Sequence, residues 1–460
     1  MVYWTLFGCS VVGVLAVELC TRHVAAKDTT EGEKDAASSK VERGDPDASI
    51  ASVNISSSLD QTFVSFQQLY LVVFFLAMAS DWLQGPYVYA LYDAYGYEKD
   101  KIALLFICGF LASMLVGTFV GSLADKLGRK RLALAFCVIY GISCLTKLSP
   151  NFHMLLLGRL TGGTATSLLF SVFESWMVCE HRKRNFDQSL LPLTFSRAIF
   201  GNCLVAIVCG LVASFVVQQF GVVAPFMVSL GILIVCFFIV LTTWSENHGD
   251  SSGDSWSSLS QAVDVLRNDP NIITLGFIQS LFEGSMYTFV FMWSPTLMDD
   301  PMQDPTSIPF GLVFATFMVA AMLGSSIFGV LLRWGWSVVG VLKTLLALGA
   351  AALAVPYFAQ SRLYLMLGFL VFEMCVGMYF PSIGTLRSEY IPEAHRSTIM
   401  NFFRVPLNFL VVIVLLKVKH MENDVVFAII TVWMVIALCL VQYLLRPPRI
   451  HDTKHGATLE

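Results

Sequence analysis

Charge is what this 460-residue chain has least of: 13% of its residues are Asp, Glu, Lys or Arg, 33 acidic against 29 basic. So little charge leaves no room for a sizeable water-facing domain. A formal net charge of -4, with the basic residues scattered in short loop clusters, gives nucleic acid nothing to hold. Catalytic and metal signatures are missing too. There is no H-E-x-x-H and no G-x-S-x-G. The eleven cysteines form no C-x-x-C pair, and most fall inside apolar stretches as small hydrophobes: Cys108, Cys137, Cys203, Cys209, Cys236, Cys375 and Cys439. All eight histidines lie in tails, loops or helix ends, such as His153, His181, His248 and His395, which argues against an intramembrane histidine relay. No enzyme, cofactor or metal site is expected.

Long apolar runs fill the space instead. Hydrophobic residues make up 56% of the chain and mean hydropathy is +0.69. Twelve core runs of membrane-spanning length stand near 64–91, 101–124, 131–149, 151–179, 193–218 and 222–243, then 271–297, 309–332, 337–359, 363–388, 397–416 and 424–445. Only closed backbone hydrogen bonding survives in hydrocarbon, so these are expected to be helices in a lipid bilayer. The Ser-, Gly- and Asp-rich stretch 244–270, with an amphipathic patch at Leu259 to Leu266, reads as a linker between two sixes, 62–243 and 271–445. Residues 446–460 are a tail. Lys and Arg in the connections number fourteen against six when both ends of the core lie in the cytoplasm, and that orientation is expected.

A thirteenth run, Trp4 to Val17, defines an N-terminal apolar helix within 1–20, a signal anchor or a signal peptide. No Lys or Arg precedes it, while Arg22 and Lys27 follow, which favours a retained helix with its start outside. The polar segment 21–61 then lies in the cytoplasm, expected to be disordered, and its sequon Asn54-Ile55-Ser56 stays unglycosylated.

After the second core span the chain reads Gly121-Ser-Leu-Ala-Asp125-Lys-Leu-Gly128-Arg129-Lys130-Arg131. Glycines at that spacing permit a tight turn, and Asp125 can pair with a neighbouring cation as a latch. The string resembles the cytoplasmic loop signature of the major facilitator superfamily. Internal symmetry agrees: Gly158 and Phe170 match Gly368 and Phe380, Phe195 and Arg197 match Phe402 and Arg404, and Asp81 answers Glu283, all at near-equal offsets. The expectation is an all-α membrane protein of major facilitator type, two six-helix bundles with pseudo-twofold symmetry plus one extra N-terminal helix.

A charge at the middle of a lone membrane helix costs roughly 2.5–3.5 kcal/mol on insertion scales, so those that persist pair or face a wet cavity. Here they are Asp81, Arg159, Glu174, Arg197, Glu283, Lys343, Glu373 and Arg404. Arg159 is either a substrate or coupling arginine answering Asp81, or half of a structural ion pair. Arg197 and Arg404 present guanidinium forks suited to a tetrahedral oxyanion. Alternatively Arg197 pairs with Glu174 and Arg404 caps a gate. Asp81, Glu174, Glu283 and Glu373 are coupling or charge-pair candidates. Tyr87 and Tyr287 are candidate hydroxyl donors into a cavity, against a plain packing role.

Several strings narrow the family: Asp81-Trp-Leu-Gln-Gly-Pro-Tyr87, Thr146-Lys-Leu-Ser149, Phe170-Ser-Val-Phe-Glu-Ser-Trp176, Gln279-Ser-Leu-Phe-Glu283, Tyr379-Phe-Pro-Ser382 and Phe403-Arg-Val-Pro-Leu407. Over about residues 62–445 the chain resembles the eukaryotic molybdate-anion transporters. That resemblance implies uptake of molybdate across the cell membrane by a twelve-helix carrier core, and confers no role on any single residue. Sulfate, of the same shape, is the expected competitor. The alternatives are a carrier of an organic solute recognised by aromatics and carboxylates, and a non-transporting receptor or scaffold with partners on 21–61.

Overall fold

A computed structural model describes residues 2–17, 49–248, 255–299, 308–359, 361–392 and 396–443, and among these there is no β-strand. The apolar runs become α1 (Val2–Val17), α2 (Ser49–Trp82), α3 (Val88–Ala94), α4 (Lys99–Leu127), α5 (Arg129–Thr146), α6 (Phe152–Lys183), α7 (Leu191–Phe220) and α8 (Ala224–Thr243). Then follow α9 (Ser255–Asn268), α10 (Pro270–Met298), α11 (Phe310–Arg333), α12 (Val338–Phe358), α13 (Arg362–Tyr390), α14 (Arg396–Lys417) and α15 (Asn423–Tyr443). Side chains cap several starts: Asn151 accepts from His153 and Met154, Asp269 from Asn271, and Ser337 from Gly340.

Nine helices among the described residues are long and apolar enough to cross a membrane. Three more of the twelve core spans, α5, α10 and α14, carry more polar residues and pack among the nine. α2 and α3 make one span, broken at Gly85–Tyr87 by a 3-10 turn that Pro86 imposes. α2 starts at Ser49, inside the stretch expected to be disordered, because no Pro or Gly between 49 and 61 interrupts a helix propagating back from the span. α9 realises the amphipathic patch, with Val265 and Leu266 on the core.

Within the first six spans α4 and α5 both pack on α6, and α2 on α7 and α8; within the second, α11 and α12 pack on α13, and α10 on α14 and α15. These are the two symmetric six-helix bundles. They meet where α7 packs on α11 and α4 on α14. The extra helix α1 lies over that seam, placing Phe7, Val11 and Val14 against Ile207 of α7 and Ala315 and Val319 of α11.

One end of the molecule carries the 125–131 loop, here the loop face; the other carries Glu98, Lys147 and Lys419. The apolar core divides by face. One continuous cluster runs from the second bundle into the far-face end of the first, joining Phe291 and Trp293 to Tyr87, Tyr89 and Phe106. The loop-face half of the first bundle has a separate core around Phe136, Phe173 and Trp176. So the bundles are fused at the far face and separate at the loop face.

Polar ties say the same. Lys419 Nζ lies 3.1 Å from both Glu98 Oε2 and Asp100 Oδ2, Lys99 donates to Asn423 Oδ1 at 2.7 Å, and Asn423 donates to Asp299 Oδ2 at 2.8 Å. All but the last cross between bundles. Among the described residues no ion pair joins the bundles at the loop face.

Candidate functional site

The basic loop is held by an ion pair and by a carboxylate from beyond α8. Asp125 and Arg129, one helical turn apart, pair at 2.8 Å. Gly128 between them has φ +97, a conformation that side chains rarely adopt, and a Cβ there would meet the Glu246 carboxylate. Glu246 accepts from the backbone N–H of Lys130 at 2.9 Å and of Arg131 at 3.3 Å, capping the start of α5. Lys130 Nζ donates to Leu241 O at 2.9 Å. Gly121 lies inside α4 and is not part of the turn. No spacing in the chain ties residue 246 to this loop; only the fold of α8 against α5 does.

At the seam, the sequence candidates separate by partner. Arg404, on α14, makes no ion pair and no side-chain hydrogen bond among the described residues. Its guanidinium crosses to the other bundle and lies against Gly117 of α4, where a Cβ would stand 3.1 Å from Nη1. Next to it, Ser113 and Ser167 hydroxyls lie 3.0 Å apart, and Ser167 also donates to Ser113 O at 2.6 Å. Tyr287 stacks edge-on against Phe110 at 5.3 Å, closing the same region from α10. A free fork of donors at the bundle boundary, beside two hydroxyls, is chemically an oxyanion-binding arrangement.

Arg197 does not pair with Glu174. It donates to Gln67 Oε1 on α2, while Gln67 donates to Thr194 Oγ1 at 2.7 Å. The buried amide lies across α2 and α7 and captures the guanidinium first. Glu174, exposed on α6, has no hydrogen bond or ion pair among the described residues. Nor do Arg159 and Asp81 form an ion pair. Asp81 accepts the Tyr140 hydroxyl at 2.5 Å, whereas Arg159 donates Nε to Leu105 O at 3.1 Å and stacks on Phe106 at 4.5 Å.

Tyr87 does not open into a cavity. Its hydroxyl lies 3.3 Å from Ser214 Oγ and accepts from Gly311 N at 3.2 Å, so it bolts α3's leading turn to both α7 and α11. The break at Pro86 turns it into the seam. Glu283 has a partner that loop counting missed: Arg387 Nη2 lies 3.1 Å away, Tyr379 donates to the same oxygen at 3.1 Å, and Arg387 Nε holds Gln279 Oε1 at 3.0 Å. Arg387 is one of the fourteen connection cations counted for orientation. It sits within α13, folded back along two turns of helix from Tyr379. Gln279 and Glu283, four apart on α10, were the visible half of that network. Glu373, 6% exposed, has no side-chain partner among the described residues.

Lys147 likewise had counted as a loop cation, yet it is 2% exposed. A cleft of about 670 Å³ opens on the far face among Lys99, Asp299, Arg362, Glu422 and Asn423. Its mixed charge and distance from the seam residues make it a rim feature rather than the route between bundles.

A sequence-family description reading "sugar transporters, 12 TM" within the major facilitator superfamily matches residues 49–375. Molybdate-anion transporters of Takifugu rubripes, Xenopus laevis and Danio rerio are 34%, 33% and 35% identical to this chain, over 77%, 82% and 76% of it and 80%, 86% and 78% of their own lengths. The nucleoside transporter NupG superposes with a TM-score of 0.64, and a point mutant of it with 0.66, at 15% and 14% identity, over 82% of this chain and 98% and 99% of theirs. That likeness fixes the fold alone. With twelve core spans in two symmetric bundles, a latched basic loop and this identity across most of its length, the chain belongs to the molybdate-anion transporter family of the major facilitator superfamily.

Proposed function

We propose that the chain is a secondary-active carrier that takes up molybdate, binding it between the bundles and moving it by alternating access. The observation that carries this reading is the Arg404 guanidinium, in no ion pair among the described residues and held against the opposite bundle. A dianion crossing a low-dielectric route needs such a group; a neutral solute does not. The names of the relatives support the same cargo. Ser113 and Ser167 add hydroxyl donors beside Arg404, and Arg197 supplies a second guanidinium on α7.

Coupling falls to the carboxyls. Asp81 and Glu283 each hold a phenol within hydrogen-bond reach, and Glu373 is buried with no side-chain partner among the described residues, so a proton taken up there relieves an unpaired charge. The loop face is placed in the cytoplasm, with the core termini, following the excess of Lys and Arg on that side. With the far face closed, the carrier stands open to the cytoplasm in the cell membrane. The boundary between bundles is placed in 244–270, and α1 is placed as a retained helix with its start outside.

The test is uptake of labelled molybdate into proteoliposomes across a pH series, with sulfate as competitor. Arg404→Lys keeps the charge but loses the fork, and is expected to weaken half-saturation about tenfold, or about 1.4 kcal/mol; full affinity in that variant removes the bidentate role. Thermal stabilisation of the purified chain by a sugar or nucleoside and not by molybdate supports an organic cargo instead. Loss of uptake on deleting 21–48 supports a partner-dependent scaffold.

A further inference from the structure

Behind the closed far face, the first bundle holds a second cationic cluster. Lys147, at the end of α5, is 2% exposed, and its ammonium meets a phenol: Nζ donates to the Tyr92 hydroxyl at 2.9 Å and lies 5.3 Å from that ring's centre. Arg159 follows Gly158 in α6, and a Cβ added at Gly158 would stand 3.0 Å from Lys147 Nζ. Two basic side chains therefore lie close to one buried phenol. Among the described residues neither forms an ion pair with a carboxylate, and Asp81, the acid whose field reaches Arg159, is already occupied by Tyr140.

Buried charges of like sign are not left together for stability, since each pays desolvation and they repel one another. Donor counting shows what is missing. An ammonium has three N–H groups and a guanidinium five. Lys147 uses one on Tyr92 and Arg159 uses Nε on Leu105 O. Tyr92 accepts from Lys147, so its own proton remains to be given. What remains is a set of donors on two basic side chains, the complement of a tetrahedral dianion.

Access follows from the elements above it. Tyr95 donates to Lys147 O at 2.5 Å and Tyr97 donates to Pro150 O, so the α3–α4 connection straps the α5–α6 turn down over Lys147. That same connection carries Glu98 and leads into Asp100, the two acids that hold Lys419 of the other bundle. In front, Phe106 under Arg159 meets Phe291 across the seam at 5.2 Å. Releasing the Lys419 clasp frees the strap and parts the aromatic pair together.

We propose that Lys147, Arg159 and the Tyr92 hydroxyl form a second oxyanion subsite, exposed when the far face opens, which receives the tetrahedral dianion before it passes to Arg404. The proposal rests on the transport reading, and its test separates the two. Purified full-length chain is reconstituted, and initial rates of labelled molybdate and labelled sulfate transport are measured from each face. Lys147→Met is expected to raise the half-saturation concentration from the far face at least tenfold with the far-face maximum rate within about twofold and, as microscopic reversibility requires, to lower the maximum rate rather than the half-saturation from the loop face; Lys147→Arg is expected to restore both. A lysine that only holds the fold would instead lower the maximum rate from both faces, and that result overturns the subsite. Unchanged half-saturation in Lys147→Met also overturns it. Should Lys147→Met not yield folded protein, Tyr92→Phe removes one hydroxyl alone and is expected to raise far-face half-saturation about threefold; no change there overturns the subsite equally. Wild-type chain that moves neither anion sinks the transport reading itself, a result no Lys147 variant can mimic.

Discussion

Arg387 and Glu283 show what a single buried pair decides. Their side chains are 22% and 13% exposed, and Glu283 also takes the Tyr379 hydroxyl. Removing one partner leaves the other as an unpaired charge, at a cost of about 3–5 kcal/mol when burial is complete and less here. Arg387→Met and Glu283→Gln are each expected to lower the melting temperature of the detergent-purified chain, while the double variant recovers most of the loss. Strict additivity of the two shifts would show that the pair is not coupled. Arg404, by contrast, has no ion-pair partner among the described residues, so Arg404→Gln is expected to abolish anion-dependent stabilisation while leaving the ligand-free melting temperature nearly unchanged.

Helix elements are positioned by close approaches that differ in kind. Within the second bundle α11 and α13 cross at Gly324 and Gly377, where added Cβ atoms would strike the Met374 and Ala321 carbonyls. Between bundles α7 and α11 cross at Gly210 and Gly311, where a Cβ on Gly311 would come within 2.7 Å of Ser214 N. The first crossing belongs to a rigid body and the second to a seam that must part. Gly377→Val is therefore expected to cost about 1–3 kcal/mol or more of stability through overpacking. Gly311→Val is expected to spare the bundles and favour the form with its far face open, read as faster hydrogen exchange in α3. Equal losses of melting temperature from both variants would contradict a separable seam.

At the scale of the molecule, the far face is held by a few exposed charges and an apolar core that continues across it. Hydrogen bonds donated to Asp100 and Glu98 hold the Lys419 ammonium above the ordinary lysine value. A raised cation contributes its stabilisation fully below its ordinary pKa and loses it as pH climbs through the raised one. The clasp is therefore complete at neutral pH and is lost in strong alkali, and again in acid when Asp100, whose carboxyl Lys419 holds below the usual aspartate range, takes up a proton. Being solvent-exposed, it is weakened by salt. Lys419→Glu, or high ionic strength with the wild type, is expected to raise hydrogen exchange in residues 88–100; identical exchange in both would show that the clasp does not hold this face shut.

Hydropathy and spacing were enough to place the twelve core helices, their symmetric halves and the family, because membrane insertion depends on length and polarity that a chain displays locally. They also picked out Arg404 as an uncommon charge. They misplaced Lys147 and Arg387, since a cation at the end of an apolar run looks the same whether it reaches water or folds back onto a phenol or a carboxylate. Which charges are paired was likewise hidden: Arg197 takes Gln67, Asp81 takes Tyr140, and Tyr87 bolts a seam. Those choices depend on rotamers and helix neighbours far apart in the chain. Composition and periodicity thus determined a twelve-helix carrier, while only the packing of its helices decided which buried charges remain free to meet an anion, because compensation is settled by distances of a few ångströms.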